Sequence, residues 1–171
     1  SLHDALPIWY LGNKSKQGFY KKVKGETGSS TLYYDYVSTG YVESRRPKFP
    51  SVEATRGIED PSRKVSTLLA GNDKGADFAW KYLRDTLIYT LKRVPEIADD
   101  VVNIDNAMKW GFNWELGPFE MLDAIGVGAF VRRAERDGIH VPEILKNTEK
   151  FFSSRNGKAC YFDLLSGQHA E

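Results

Sequence analysis

A mainly α fold, a helical bundle with short β-elements at its two ends, is predicted by three features of this 171-residue sequence. From about residue 51 to residue 151, amphipathic stretches of helical period follow one another, each cut off by Pro or Gly. Outside them the chain is extended in character, with β-prone aromatic runs at Tyr33–Ser38 and Tyr161–Ser166. Those two runs repeat each other: Tyr33-Tyr34-Asp35-Tyr36-Val37-Ser38 matches Tyr161-Phe162-Asp163-Leu164-Leu165-Ser166, and a Gly follows closely in both. The repeat predicts a pair of small β-elements at one end of the helical core, pairing with each other. Two copies this far apart do not make a solenoid.

The first twenty residues after Tyr10, LGNKSKQGFYKKVKGETGSS, are polar and glycine-rich without helical period. TLYYDYV then alternates as a strand does, and Ser38-Thr39-Gly40 supplies a turn before Tyr41-Val42. Pro47 and Pro50 close that segment; Ser51 is a suitable N-cap for a short helix from Val52 to Gly57. Asp60-Pro61 opens a helix through Leu69 that Gly71 stops. The longest helix is expected from Ala76 to Val94, with Ala79, Leu83, Leu87 and Leu91 at four-residue steps and Phe78, Tyr82 and Tyr89 widening the apolar stripe. Pro95 ends or bends it.

Asp99 or Asp100 caps the next helix, whose buried face is Val101, Ile104, Ala107 and Met108, with Gly111 as its C′ residue. Pro118 stands at the first position of FEMLDAI, which Gly126 terminates. The amphipathic AFVRRAERDG ends at Gly138, Pro142 opens PEILKNTEKFF, and KACYFDLLSGQ returns to extended character.

Composition narrows the function. Hydrophobic residues at 41 % and charged residues at 27 % are ordinary for a globular protein. A formal net charge of +1 gives no long-range pull toward nucleic acid or an anionic membrane, so neither is expected as a partner. No run approaches about 18 apolar residues, so no membrane-spanning helix is expected. A single Cys160 excludes an internal disulfide and fits a reducing compartment, which makes the cytoplasm the expected location. The opening SLHDALPIWYL lacks the basic start and small-residue cleavage pattern of a secretory signal.

Catalytic signatures are sparse. His3, His140 and His169 bear no spacing relation to one another or to Cys160, whereas metal ligands come in closely spaced pairs, so no metal site is expected. Neither G-x-G-x-x-G after a strand nor G-x-x-x-x-G-K-[ST] occurs, so no nucleotide phosphate loop is expected. KKVK and SRR read as solvated surface, because no aromatics arranged for stacking interleave them. The densest unusual feature is MKWGFNWELGPFEMLDAIG, from Met108 to Gly126. Its Trp110, Phe112, Trp114, Pro118 and Phe119 either lock a helix corner or present one edge to a partner domain or an acyl ligand. Glu115 is the polar exception, read here as a cap for the Pro118 helix.

Two blocks in that region, Ile104-Asp105-Asn106-Ala107-Met108-Lys109-Trp110-Gly111 and Gly117-Pro118-Phe119-Glu120-Met121-Leu122-Asp123 with Gly126, form the pattern I-D-x-A-M-x-x-G … G-P-F-E-x-x-D-x-x-G. It resembles the C-terminal helical domain of the 3-hydroxyacyl-CoA dehydrogenases. Gly12-Asn13-Lys14 followed by Gly18-Phe19-Tyr20 is similar to the end of a preceding copy of that domain, and the resemblance extends from Trp9 onward, leaving Ser1 to Ile8 unmatched. It implies a bundle of the 6-phosphogluconate-dehydrogenase C-terminal-like type. Residues 1–50 would be the tail of a first copy plus a linker strand, and residues 51–171 a second copy.

The implied activity is NAD-dependent oxidation of 3-hydroxyacyl-CoA in fatty-acid β-oxidation, with NAD and the catalytic His–Glu pair held by a preceding Rossmann domain. This chain would itself bind no cofactor. Its implied partners are that Rossmann domain, the first domain copy, the acyl-CoA of the parent enzyme and a second protomer. In the family's catalytic copy an Asn on the first long helix reaches the active site; a gapless count places Trp80 there, and an indole cannot replace an amide. The resemblance therefore implies a supporting copy, inactive alone, with Trp80 as a packing residue. A free-standing helical oligomerisation module is the competing reading.

Overall fold

A computed structural model describes residues 10–25, 28–44, 47–164 and 166–170. Ser1–Ile8 with His3, the Arg45–Arg46 pair and Leu165 lie outside the described residues. The chain divides into two compact units, one ending at Pro47 and one beginning at Lys48.

The first unit is an antiparallel meander of β1 (Tyr20–Gly25), β2 (Gly28–Asp35) and β3 (Gly40–Glu43), with β2 in the middle. Its β2–β3 turn is built by Asp35, whose carboxylate accepts from the N–H of Val37 and Ser38 and from the Ser38 hydroxyl at 2.6 Å. Tyr10, Tyr34 and Tyr41 cluster with ring centroids 5.5 to 5.9 Å apart, and Tyr41 donates to the Gly18 carbonyl. Three rings here do the packing that a unit this small lacks apolar area to do otherwise.

The second unit is mainly helical: α1 (Pro50–Glu53), α2 (Pro61–Leu69), α3 (Lys74–Ile97), α4 (Val101–Phe112), α5 (Pro118–Ile125), α6 (Val127–Arg136) and α7 (Glu143–Lys146). A second antiparallel meander follows, β4 (Phe152–Arg155), β5 (Lys158–Asp163) and β6 (Gln168–Ala170), with β5 central. No helix among the described residues is long and apolar enough to cross a membrane.

Local signals explain the helix starts. Asp60, Asp73 and Asp100 each accept from an N–H of the first turn of α2, α3 and α4. Asp73 also takes the N–H and hydroxyl of Ser51, which ties α1 to the start of α3. Ser51 therefore does not cap α1, as its sequence position suggests; it lies inside that helix and is buried.

Other expectations are corrected. α3 runs through Pro95 to Ile97, since in the last turn a proline forfeits only one backbone bond. Its buried face is Ala76, Trp80, Leu87, Ile88, Leu91 and Val94, while Phe78, Tyr82 and Tyr89 are exposed on the opposite side. α4 continues past Gly111 to Phe112 and is ended by Asn113 in the left-handed conformation. Ala107 is exposed and Met108 only half-buried. The helix after Pro142 is a single turn. The repeated runs do not pair with each other: each supplies the central strand of its own meander, and Tyr36 and Val37 lie in the turn after β2.

The core of the second unit joins α3, α5 and α6 to the second meander. Phe119 on α5 meets Phe151 edge-on at 4.8 Å, and Phe151 meets Phe162 of β5 at 6.0 Å. From α6, Phe130 packs against Trp80, and Arg133 donates to the Leu69 carbonyl at the end of α2.

Candidate functional site

The α4–α5 corner is organised by Asp105, which is 1 % exposed. Its two oxygens accept from the N–H groups of Phe119 and Glu120, each at 2.9 Å. A residue from one helix thus satisfies first-turn donors of the next. Glu120 closes the arrangement: Oε2 accepts from the Gly117 N–H at 2.8 Å, and Oε1 takes the Lys109 ammonium of α4 at 2.7 Å. Gly117 is required by contact and not by its backbone angles, which are ordinary extended ones, since a Cβ there would lie inside the Asp105 side chain.

Burial pushes the Asp105 carboxyl up to about 6, against the pull of the two N–H groups and Lys109. A raised carboxyl can signal an acid catalyst. Here both oxygens are engaged and enclosed, so no substrate atom can reach them, and Asp105 is a strut. Asp123 does the same at the other end of α5. Its carboxylate accepts from the N–H groups of Phe151 and Phe152, both at 2.8 Å, and burial raises its pKa too.

The seven residues singled out from the sequence separate into three groups. Trp80, Pro118 and Phe119 are buried in the core of this unit, so none offers a surface. Trp80 is gripped on several sides: its indole N–H donates to Asp137 at 2.6 Å, the Arg133 guanidinium lies 4.3 Å above its ring, and Phe130 meets its edge at 5.3 Å. Trp114 is partly buried against the core, and Glu115 is exposed near Lys64. Glu115 does not cap α5; Glu120 and Asp105 do. Trp110 and Phe112 project from the end of α4, 81 % and 71 % exposed.

Large exposed rings are unusual where the fold has a core available to take them. Besides Trp110 and Phe112 the second unit exposes Phe78, Tyr82 and Tyr89 on α3, where the Phe78 and Tyr82 rings stack at 6.5 Å. An apolar cleft of about 360 Å³ is lined by Leu91, Val94, Ala98, Pro142, Ile144 and Leu164, with Asp99 as the one carboxylate among the described residues. Among the described residues no acid–base pair lines it. Among the described residues no group of three or more His, Cys, Asp or Glu is placed to hold a metal ion. His169 contacts Ser153 and the Phe162 ring, and Cys160 is buried in β5.

Sequence reasoning missed the roles of Asp105, Lys109, Glu120, Asp123 and Asp137. Three of them, Asp105, Glu120 and Asp123, stand in the gapped pattern that carries the family resemblance; that pattern was the available signal.

Comparison with known proteins agrees with the pattern. A probable 3-hydroxyacyl-CoA dehydrogenase of Bacillus subtilis is 38 % identical over 167 residues, which is 95 % of this chain and 21 % of that protein. Putative fatty acid oxidation complex trifunctional enzymes of Rickettsia felis and Rickettsia prowazekii are 26 % and 25 % identical over 75 % and 81 % of the chain. The chain spans about a fifth of the length of the curated relatives it matches. No protein-family model and no solved structure matches it.

Proposed function

We propose that this chain, which is homologous to one small part of 3-hydroxyacyl-CoA dehydrogenases, is the C-terminal helical portion of such an enzyme and supplies contacts, not catalysis. On this reading residues 1–50 close a preceding domain copy. Residues 51–171 are a second copy of 6-phosphogluconate-dehydrogenase C-terminal-like type. The parent enzyme is an NAD-dependent, cytoplasmic oxidoreductase of fatty-acid β-oxidation. NAD and the catalytic pair belong to its Rossmann domain, and the helical unit packs against that domain, the other copy or a second protomer.

The observation that carries this reading is how the gapped pattern from Ile104 to Gly126 is used. Asp105, Glu120 and Asp123 spend their carboxylates on backbone N–H groups inside the unit. What the same region turns outward is aromatic surface, Trp110 and Phe112, the chemistry of a contact and not of proton transfer. Trp80, enclosed by Asp137, Arg133 and Phe130, offers nothing to a substrate.

The isolated chain is therefore expected to form no NADH from 3-hydroxybutyryl-CoA and NAD. Turnover well above buffer, in protein free of full-length enzyme, would overturn the assignment.

A further inference from the structure

The first unit carries a feature that the contact role leaves unused. Between Asn13 and Gly25 the sequence has five lysines and no acid. The meander sorts them. Lys21 turns to one face of β1, where its ammonium lies 5.4 Å from the centroid of the Tyr41 ring. Tyr20 and Lys22 share the other face, with Thr31 directly across from Lys22 on β2.

There they line a groove of about 610 Å³ together with Asn13, Lys16 and Phe19. Among the described residues no carboxylate lines it. The loop that contributes Asn13 and Lys16 is tied down at both ends: Gly12 N–H donates to the Gln17 carbonyl at 2.8 Å, and the Ser15 hydroxyl links Leu11 to Gln17. Its side chains are thus presented by an ordered backbone. Phe19 and Tyr20 are 48 % and 69 % exposed, so their rings are open to a ligand.

We infer that this groove binds a nucleotide polyphosphate, with Lys16 and Lys22 on the phosphates and Tyr20 or Phe19 against the base. Two lysines lining one groove, Lys16 from the loop and Lys22 from β1, suit two phosphates as point charges, and among the described residues no carboxylate lines the groove to neutralise them. Exposed rings beside them suit a flat heterocycle, and Asn13 can both donate to and accept from its edge. The volume falls in the range of small-molecule sites, about 300–1,000 Å³. Phe19 and Tyr20 stand immediately before KKVK in sequence, and the strand brings them to the same groove as its Lys22. Because the lysines are at the surface, binding should weaken as salt is raised.

This ligand chemistry has two sources, the phosphoadenosine diphosphate end of coenzyme A and a free nucleotide such as ATP. Titration calorimetry of the whole chain at low salt with coenzyme A, ATP, NAD and a short single-stranded oligonucleotide separates them. Saturable one-to-one binding of coenzyme A or ATP is expected, the tighter of the two identifying the source. NAD, whose two phosphates are both internal and singly charged so that it lacks a terminal dianionic phosphate, should bind at least tenfold more weakly. Lys16→Glu and Lys22→Glu should each weaken binding at least tenfold, and Tyr20→Ala severalfold, with thermal unfolding unchanged. No saturable binding of either polyphosphate, binding by both lysine variants as tight as by the unaltered chain, or NAD binding as tight as coenzyme A would overturn the proposal. An oligonucleotide bound tenfold more tightly than both would mark a nucleic-acid patch and overturn it as well.

Discussion

Gly117 lies against Asp105 so closely that the space for a single methyl group is occupied by the Asp105 side chain and backbone. That contact brings the N-terminus of α5 onto a buried carboxylate, and the Phe119 and Glu120 N–H groups bind it from there. Two elements joined by a five-residue link are thereby held at a fixed angle.

Gly117→Ala should destabilise the second unit by about 3 kcal/mol or more, since the clash is with a side chain that cannot withdraw without breaking its own bonds. Gly111→Ala, six residues earlier in α4 with nothing within 4 Å of its missing Cβ, should instead stabilise by about 0.5–1 kcal/mol. Urea unfolding of the two variants checks both signs, and equal effects would contradict the close-contact account.

Asp105 also predicts a pH dependence. With its carboxyl raised to about 6, the native unit holds a proton that the unfolded chain releases near its ordinary value of 3.8. The stability this contributes is fully present below about pH 4 and is lost as pH rises through about 6. The gap is worth about 3 kcal/mol. Asp123, raised by burial, acts in the same direction. Asp137, held low by the Trp80 indole, and Asp73, held low by the Ser51 N–H, lose their contributions only below the ordinary carboxylate range. Unfolding free energy should therefore fall between pH 4 and pH 6, and Asp105→Asn should flatten that fall. An unchanged slope in the variant would place the titration elsewhere.

Trp80 is a packing residue on this account. Trp80→Asn should cost about 3–5 kcal/mol from lost ring burial, with the orphaned amide adding to it. Trp80→Phe keeps much of the ring but removes the bond to Asp137 and weakens the Arg133 contact, so its cost should be smaller, about 1–3 kcal/mol. Thermal unfolding ranks the two. In the parent enzyme neither should alter the Michaelis constant of the folded fraction; a shift in acyl chain-length preference without loss of melting temperature would make Trp80 a cleft residue.

Much of the helical layout was legible because its signals are local. Asp60, Asp100, Pro118 and Gly126 act within one turn of where they stand, and each sits at the helix end where sequence places it. The errors have one physical origin, that a side chain's partner can be far along the chain. Asp73 takes Ser51, 22 residues away, so Ser51 is not free to cap α1. Asp105 and Glu120 cap α5, leaving Glu115 at the surface. Phe78, Tyr82 and Tyr89 read from sequence as part of a buried stripe because aromatic rings belong in cores, yet the packed arc of α3 is already filled by Trp80, Leu87, Ile88 and Leu91. The repeat between Tyr33 and Tyr161 was real as a local pattern, a central strand ending in an Asp turn; strand partners depend on neighbours that a repeat does not name. Of the site, the pattern was visible and its use was not: whether a carboxylate is a strut or an acid depends on enclosure.

The measurement that bears most directly on the contact role is a segment exchange in the Bacillus subtilis relative. Replacing its matching segment with this chain should yield a soluble enzyme that oxidises 3-hydroxyacyl-CoA with NAD at no less than about a tenth of the parental rate, within about 1.4 kcal/mol of its barrier. Deleting the segment should abolish assembly or activity. Trp110→Ser with Phe112→Ser in the exchanged enzyme should weaken association or thermal stability while leaving the rate of the assembled fraction unchanged. A deletion variant that stays assembled and fully active would contradict the account, as would a Trp110/Phe112 variant whose assembled fraction loses its chemistry.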